Sequence, residues 1–593
     1  MTLVAYQLSI KDITAHLVAV ELRFTPQNNE PVRLSLPAWI PGSYMIRDFA
    51  KHLHSIEAYD ASGALTLQQL DKQSWLLHHN QQELAVRYNV YAFDLSVRGC
   101  YLDDQLAILN PSALCLEVKG MEQMPVSLDV SAPEYLGWQV ATGLTRADST
   151  LPLQCGLYQA DNYQQLIDTP LMLGQLEIAE FDVCGVPHYL ALAGHEQLDK
   201  ERFKTDLQRI CLQQQKVFGG LPADLNQYWF LCWVTDSGYG GLEHHNSTLL
   251  LLTHQDLPNA QRPDESSADY QNLLGLCSHE YFHTWWVKRA KPSQFLPYQL
   301  ASEQYTSQLW LYEGFTSYYD DLALVRCGLL TQEQYFAALE KTINRVQLSP
   351  SEQVQSVADS SFNAWTKYYK QDENAVNAVV SYYTKGSLIA LCLDALLRSN
   401  GKSLDALMLL AWRSYGEPGT GSSEQQFIQL CSDYAGKEIA AELNSWVHGT
   451  SSLPLSQLLP NLGVTTGVRQ QEHSKDLSGH KEPVYPIRAF GAAFSSSVEG
   501  LKLTNVPLGS TAYNAGLMAG DMLIAINAVK ATEQNFWRQL NQSPIGNVVI
   551  LYVFRRQRLV QLSMPIESAA ETLTYLQLVD QSKVACWIGS TQA

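Results

Sequence analysis

His279-Glu-Tyr-Phe-His283 constrains this chain more than any other feature. It lies in a run, Asp269 to Ala290, whose apolar residues recur at three- and four-residue spacing, the period of a helix. Residues i and i+4 share one helix face, so both imidazoles can reach one ion, and Glu280 can reach a water beside it. Two histidines at this spacing can also simply pack, so the weight of the motif depends on the residues that accompany it. A catalytic zinc takes a few nitrogen and oxygen ligands and keeps one position open. It lowers the pKa of water towards neutrality, and a nearby carboxylate takes the proton. Zn2+ is therefore the expected cofactor, with His279 and His283 as ligands and Glu280 as general base.

A further ligand has to come from another element. Glu313, in Trp310-Leu-Tyr-Glu-Gly-Phe-Thr316, falls early in a second helical run, Ser307 to Cys327, which Gly328 closes. An opposing helix supplying one carboxylate would place it so. Glu303 is nearer in sequence but lies close to where that helix would begin, so Glu313 is the expected third ligand.

The rest of the chain reads as multidomain α+β. From residue 1 to 165, short alternating runs such as Leu17-Val-Ala-Val-Glu-Leu-Arg-Phe and Leu84-Ala-Val-Arg-Tyr-Asn-Val-Tyr-Ala-Phe predict a β-rich domain. Residues 166–460 mix strands (Tyr228 to Val234, Ser247 to Leu252) with helices, including Ser381 to Arg398. Residues 466–482 are polar and lack aromatics, which predicts a linker or long loop. A last domain follows at 480–567, with a C-terminal extension at 568–593.

Composition excludes some partners. The 593 residues carry 40 basic against 59 acidic side chains, a net charge of −19, so nucleic acid and anionic membrane are not expected partners. No apolar run is long enough to span a bilayer, and the N-terminal segment, Met1 to Ile10, does not read as a signal peptide. The 11 cysteines are scattered and never spaced as CxxC, as in a protein of the reducing cytoplasm.

HExxH followed by Trp-x-x-Glu-Gly-Phe resembles the gluzincin metallopeptidases, the clan of thermolysin and aminopeptidase N. Gly240-Gly-Leu-Glu-His244 is similar to their Gly-x-Met-Glu-Asn exopeptidase motif, whose glutamate holds the substrate's free amine. The resemblance makes Glu243 and Gly241 the expected substrate-binding residues. Tyr383-Thr-Lys-Gly386 looks like the Tyr-x-Lys-Gly segment whose tyrosine donates to the tetrahedral oxyanion, so Tyr383 joins Glu280 as an expected catalytic residue. A cationic amine needs a carboxylate and an anionic intermediate needs a donor. This chain departs from aminopeptidase N at Leu242, at His244, at Tyr312 before the glutamate, and in a longer spacing from HExxH to Glu313.

Those departures, with Trp39-Ile-Pro-Gly-Ser-Tyr-Met-Ile-Arg-Asp48, resemble the glycyl aminopeptidases that carry a PDZ domain. Thr511 to Asn527 is similar to the PDZ core Ala-Gly-Leu-x-x-Gly-Asp-x-Ile-x-x-Ile-Asn. There Leu523-Ile-Ala-Ile would be a strand and Thr532 to Gln542 the groove helix. Arg488-Ala-Phe-Gly-Ala-Ala-Phe494 matches the carboxylate loop loosely. PDZ domains add an extended peptide to a sheet edge, so a peptide C-terminus is an expected partner; the other reading is a degenerate copy that only packs. The resemblance implies a β-rich N-terminal domain, a thermolysin-like catalytic domain extended by helices, and an aminopeptidase removing N-terminal residues, small ones such as glycine and alanine among them. An endopeptidase and an inactive peptide-binding scaffold are the alternatives. His244, His245 and Arg47 are expected to be ordinary polar or ion-paired residues.

Overall fold

Alternation of apolar and polar residues becomes strand in the N-terminal part, as a period of two requires. In the computed structural model Leu17–Phe24 pairs antiparallel with Val4–Asp12 on one side and with Leu84–Tyr91 on the other. Tyr6, Leu8, Val18, Val20 and Leu22 are buried, and the residues between them are more exposed. The structure describes residues 4–80, 82–194, 198–261, 266–473, 475–481 and 487–589. They fall into two compact units: Met1–Gln304 with Met408–Ser422, and Tyr305–Leu407 with Ser423–Ala593.

The first unit holds an eight-stranded sheet, two four-stranded sheets and a five-stranded sheet. The last runs in the order Leu176–Val183, Val186–Ala193, Tyr228–Thr235, Ser247–Thr253, Gly240–Glu243. Its central strands are parallel and almost wholly buried, which explains their unbroken apolar runs. Gly240–Glu243 closes the sheet as an antiparallel edge. One hydrophobic core runs from Val4 through Leu166 and Leu173 to Trp229, Leu231, Trp233 and Leu249, so packing is continuous across residue 165.

The helix bearing the two histidines is Ala268–Phe282, capped by Ser267, whose side chain accepts from the Tyr270 amide. Gln214, on the helix Lys200–Phe218, donates to the Ser278 carbonyl at 2.6 Å. Tyr281 donates to His188 of the sheet at 2.9 Å. The helix stops at Phe282, not at Ala290 as the periodicity predicts. Beyond it Trp285 and Trp286 are buried, Val287 takes a left-handed φ of 98°, and Lys288 and Arg289 turn inward to Asp168 and Asp224. The apolar spacing of 284–290 belongs to a buried turn.

In the second unit, helices Leu309–Arg326 and Thr384–Ser399 cross at two glycines. A Cβ on Gly314 would stand 2.6 Å from the Cα of Gly386, and one on Gly386 would stand 2.7 Å from the Trp310 carbonyl oxygen. Tyr318 donates to Asp394 at 2.8 Å across the same pair. The expected linker or long loop at 466–482 needs correction at its start: Val464–Gln470 is a strand, paired antiparallel with Glu571–Leu578, and the described residues beyond it form a loop. Among the described residues two strands form this sheet; residues 465–467 are half-buried and Arg469 is buried against Asp476, so the strand forms without an apolar alternation. Ser474 and Glu482 of that stretch lie outside the described residues, as do residues 1–3 of the N-terminal segment, 483–486 of the last domain and 590–593 of the extension.

A further sheet runs Ala493–Ser496, Leu501–Asn505, Met522–Ile526, Val548–Arg555, Arg558–Pro565, with Val529–Lys530 paired to its middle strand. The helix Glu533–Gln542 starts at its Thr532 cap as expected. The C-terminal helix Gln581–Ile588 returns to Leu309–Arg326, where Trp587 donates to Tyr318 at 2.9 Å and its carbonyl accepts from Arg326 at 3.0 Å.

Candidate active site

Each unit gathers part of the predicted set. In the first, the histidine rings lie edge to face with centroids 4.7 Å apart, on one side of their helix. His283, 1% exposed, donates from Nδ1 to the Trp286 carbonyl at 2.9 Å. That bond fixes the tautomer and leaves Nε2 as the lone-pair donor, the usual preparation of a metal-binding imidazole. The buried turn after Phe282 thus orients the second histidine.

Glu243, Glu280 and His283 each offer a ligand atom within 4.8 Å of the others. Gly241 brings the edge strand against the base: a Cβ there would stand 2.5 Å from the Glu280 carboxyl carbon. Glu243 is 4% exposed, and its Oε1 has no hydrogen-bond partner among the described residues. An unsatisfied buried carboxylate oxygen costs free energy unless a ligand satisfies it.

In the second unit, Glu313 is buried on Leu309–Arg326 and Tyr383 stands at the N-terminus of Thr384–Ser399. The helix begins there because Ser381 Oγ accepts from the Thr384 amide at 3.1 Å. Burial, and then the Glu313 carboxylate, push the Tyr383 phenol well above its usual value. Tyr383 keeps partial exposure, whereas Tyr382 beside it is fully buried. Tyr382 and Tyr383 stack at 4.7 Å, and Tyr368 packs on both. Lys385 forms a buried ion pair with Glu352 at 3.6 Å.

The remaining polar residues hold the frame. His244 donates to Asp168 at 3.2 Å and His245 to Asp224 at 2.8 Å. Asp168 also pairs with Lys288 at 2.8 Å. Burial alone would raise the Asp168 carboxyl, but Lys288 and His244 hold it well below the usual carboxylate range. Burial, and then Lys288, push the Lys291 ammonium down to about 7, and it lies 4.8 Å from the centre of the Tyr298 ring. Arg47 donates to Ser43 within its own loop at 2.7 Å. Glu303 lies in the irregular segment ahead of Leu309.

Sequence reasoning did not single out Gly42, Gly314 or Gly386. Gly42, with a φ of 94°, abuts Glu243: a Cβ there would stand 2.6 Å from Oε2. The available signal was the Pro-Gly pair in the Trp39–Asp48 segment and the glycine closing each of the two helical motifs.

With the site in view, comparison with known proteins places the chain. A crystal structure described as an aminopeptidase N family protein from Idiomarina loihiensis is 40% identical, with a TM-score of 0.95, covering 99% of this chain and 100% of that one. The sequence model of the peptidase M61 N-terminal domain matches residues 5–175, and that of the M61 glycyl aminopeptidase matches residues 272–389. The chain belongs to the M61 peptidase family. The second M61 match contains HExxH, Glu313 and Tyr383; Glu243 lies between the two matches. An M1 zinc metallopeptidase from Deinococcus radiodurans shares the fold at 15% identity and a TM-score of 0.50, over 76% of this chain and 95% of that one. No curated protein matches. Among the described residues no helix is long and apolar enough to cross a membrane.

Proposed function

We propose that this chain is a zinc-dependent aminopeptidase in which His279, His283 and Glu313 hold the ion. Two imidazoles and a carboxylate suit zinc, and the bonded Nδ1 of His283 fits a ligand role for its Nε2. When bound, zinc would supply Lewis acidity at the scissile carbonyl and acidify water. Glu280 would take a proton from that water and return it to the leaving amine. Tyr383, kept protonated by burial, would donate to the oxygen that gains charge. Gly241 would let the substrate's backbone lie along the edge strand. Small N-terminal residues, glycine and alanine, are the proposed preference on family grounds alone.

The observation that carries the amino-terminal specificity is the buried, unpartnered Oε1 of Glu243 among Glu280 and His283. A protonated α-amine would satisfy it and fix the scissile bond one residue from the chain end. Replacing one partner of a desolvated charge pair leaves the other uncompensated. Glu243→Gln should therefore slow hydrolysis of free-amine substrates about tenfold to a thousandfold, or about 1.4–4 kcal/mol. N-acetylated peptides should be poor substrates for wild type and little changed by the substitution. Equal cleavage of free and acetylated peptides by both proteins would make it an endopeptidase.

The region 480–567 is, in this proposal, a PDZ-like module that packs and does not capture. Phe494 on its edge strand contacts Phe536 at 5.6 Å and Trp537 at 6.0 Å, and Ser496 donates to Glu533 at 3.2 Å, so strand and helix already touch. Asn377 ties it to the helical part by donating to the Val506 carbonyl at 3.3 Å and accepting from the Leu508 amide at 2.8 Å. The free thiols of all 11 cysteines suit action in the cytoplasm.

A further inference from the structure

Arg98 lies in the loop between the strands Leu84–Tyr91 and Tyr101–Leu102, well away from HExxH in sequence. Its guanidinium nevertheless reaches the edge strand Gly240–Glu243. Nη2 donates to the Gly241 carbonyl at 3.4 Å, and a Cβ on Gly240 would stand 3.7 Å from Nη1. The side chain is half-buried, its Nε is buried without a hydrogen-bond partner, and among the described residues no carboxylate pairs with it. Two other cations buried near this sheet, Lys288 and Arg289, have Asp168 and Asp224. A planar, permanently charged fork left without an acid matches a carboxylate bidentately.

Its position along the strand supplies the rest. Glu243 and Gly241 are two residues apart, about 7 Å in a strand, and both meet the base region, Glu243 through its carboxylate and Gly241 through its bare Cα. A peptide laid antiparallel on an edge strand advances about 3.3 Å per residue. With its amine at Glu243, its third and fourth residues would come level with Gly241 and Gly240, where Arg98 stands.

We infer that Arg98 is a specificity-determining residue that binds a substrate carboxylate two or three residues beyond the amine. This rests on the aminopeptidase reading above. The carboxylate could be the C-terminus of a tri- or tetrapeptide or an acidic side chain, and Arg98 would direct the enzyme to such substrates. With the amine held at one end and the carboxylate at the other, Glu243 and Arg98 would measure substrate length.

The test compares kcat/KM for Ala-Ala-Ala as free acid and as C-terminal amide, with Ala-Glu-Ala-amide and Ala-Ala-Glu-amide as further arms. Wild type should favour the free acid over its amide at least about tenfold. Arg98→Gln should bring that ratio near one, and Arg98→Lys should leave an intermediate value. A glutamate-bearing amide that regains the free-acid rate in wild type assigns the carboxylate to a side chain; a gain confined to the free acid assigns it to the terminus. Should Arg98→Gln fail to fold, Arg98→Lys decides on the same ratio. A ratio identical in wild type and the Arg98 variants overturns the inference while leaving the aminopeptidase reading intact. Wild type inert towards every arm removes that reading, and this inference with it.

Discussion

Gly42 presses its bare Cα against the carboxylate of Glu243, about two hundred residues away in sequence. A methyl group there would stand 2.6 Å from Oε2, on a backbone whose φ of 94° already disfavours any side chain. Gly42→Ala should therefore displace Glu243 and lower kcat/KM for free-amine substrates at least about tenfold. It should leave zinc content unchanged, because neither histidine is touched. Peptidase assays with metal analysis on the same preparation check both halves.

Removing a ligand and removing the base should have separable effects. His279→Ala and Glu313→Ala should each lose the ion, measured as zinc per chain by atomic absorption, against about one in wild type. Glu280→Gln preserves volume and should retain zinc while kcat falls by about 10²–10⁴, the range for a general base.

Tyr383→Phe should keep zinc and lose about 10²–10³ in kcat, as for one oxyanion donor. Tyr382→Phe alters a fully buried ring in the same stack, so it should change thermal stability and leave kcat within a few fold. The reverse pattern in the two variants would move the oxyanion donor to Tyr382.

Asp168→Asn should destabilise the first unit by about 3–5 kcal/mol, since it strands Lys288, whose side chain is 2% exposed. The Asp168 pKa is lower folded than unfolded, so its contribution is fully present above about pH 4 and drains away as pH falls towards the folded value. Denaturant melts at neutral and acid pH should show the gap between wild type and variant closing only below about pH 4.

The parts of this protein legible in its sequence are those whose signal is local. HExxH, the helix Leu309–Arg326, the strand Tyr228–Thr235 and the helix after Thr532 all lie where period, cap and motif place them. The misread parts depend on distant partners. Val464–Gln470 is a strand because Glu571–Leu578 pairs with it, and its half-buried middle shows no alternation to read. Residues 284–290 keep a helical spacing, yet Asp168 and Asp224 draw Lys288 and Arg289 into a turn. Gly42 and Arg98 meet the edge strand through contacts that only the folded sheet creates.

The helix Gln581–Ile588 lies far along the chain from Leu309–Arg326, yet through Trp587 it packs on Tyr318 and Arg326, on the helix that carries Glu313. Synthesis runs from the N-terminus, so that helix cannot complete its packing until residue 588 has left the ribosome. An unfinished chain carries HExxH but lacks the closing brace on its carboxylate helix. A chain cut before residue 581 should therefore hold the helix that carries Glu313 less firmly.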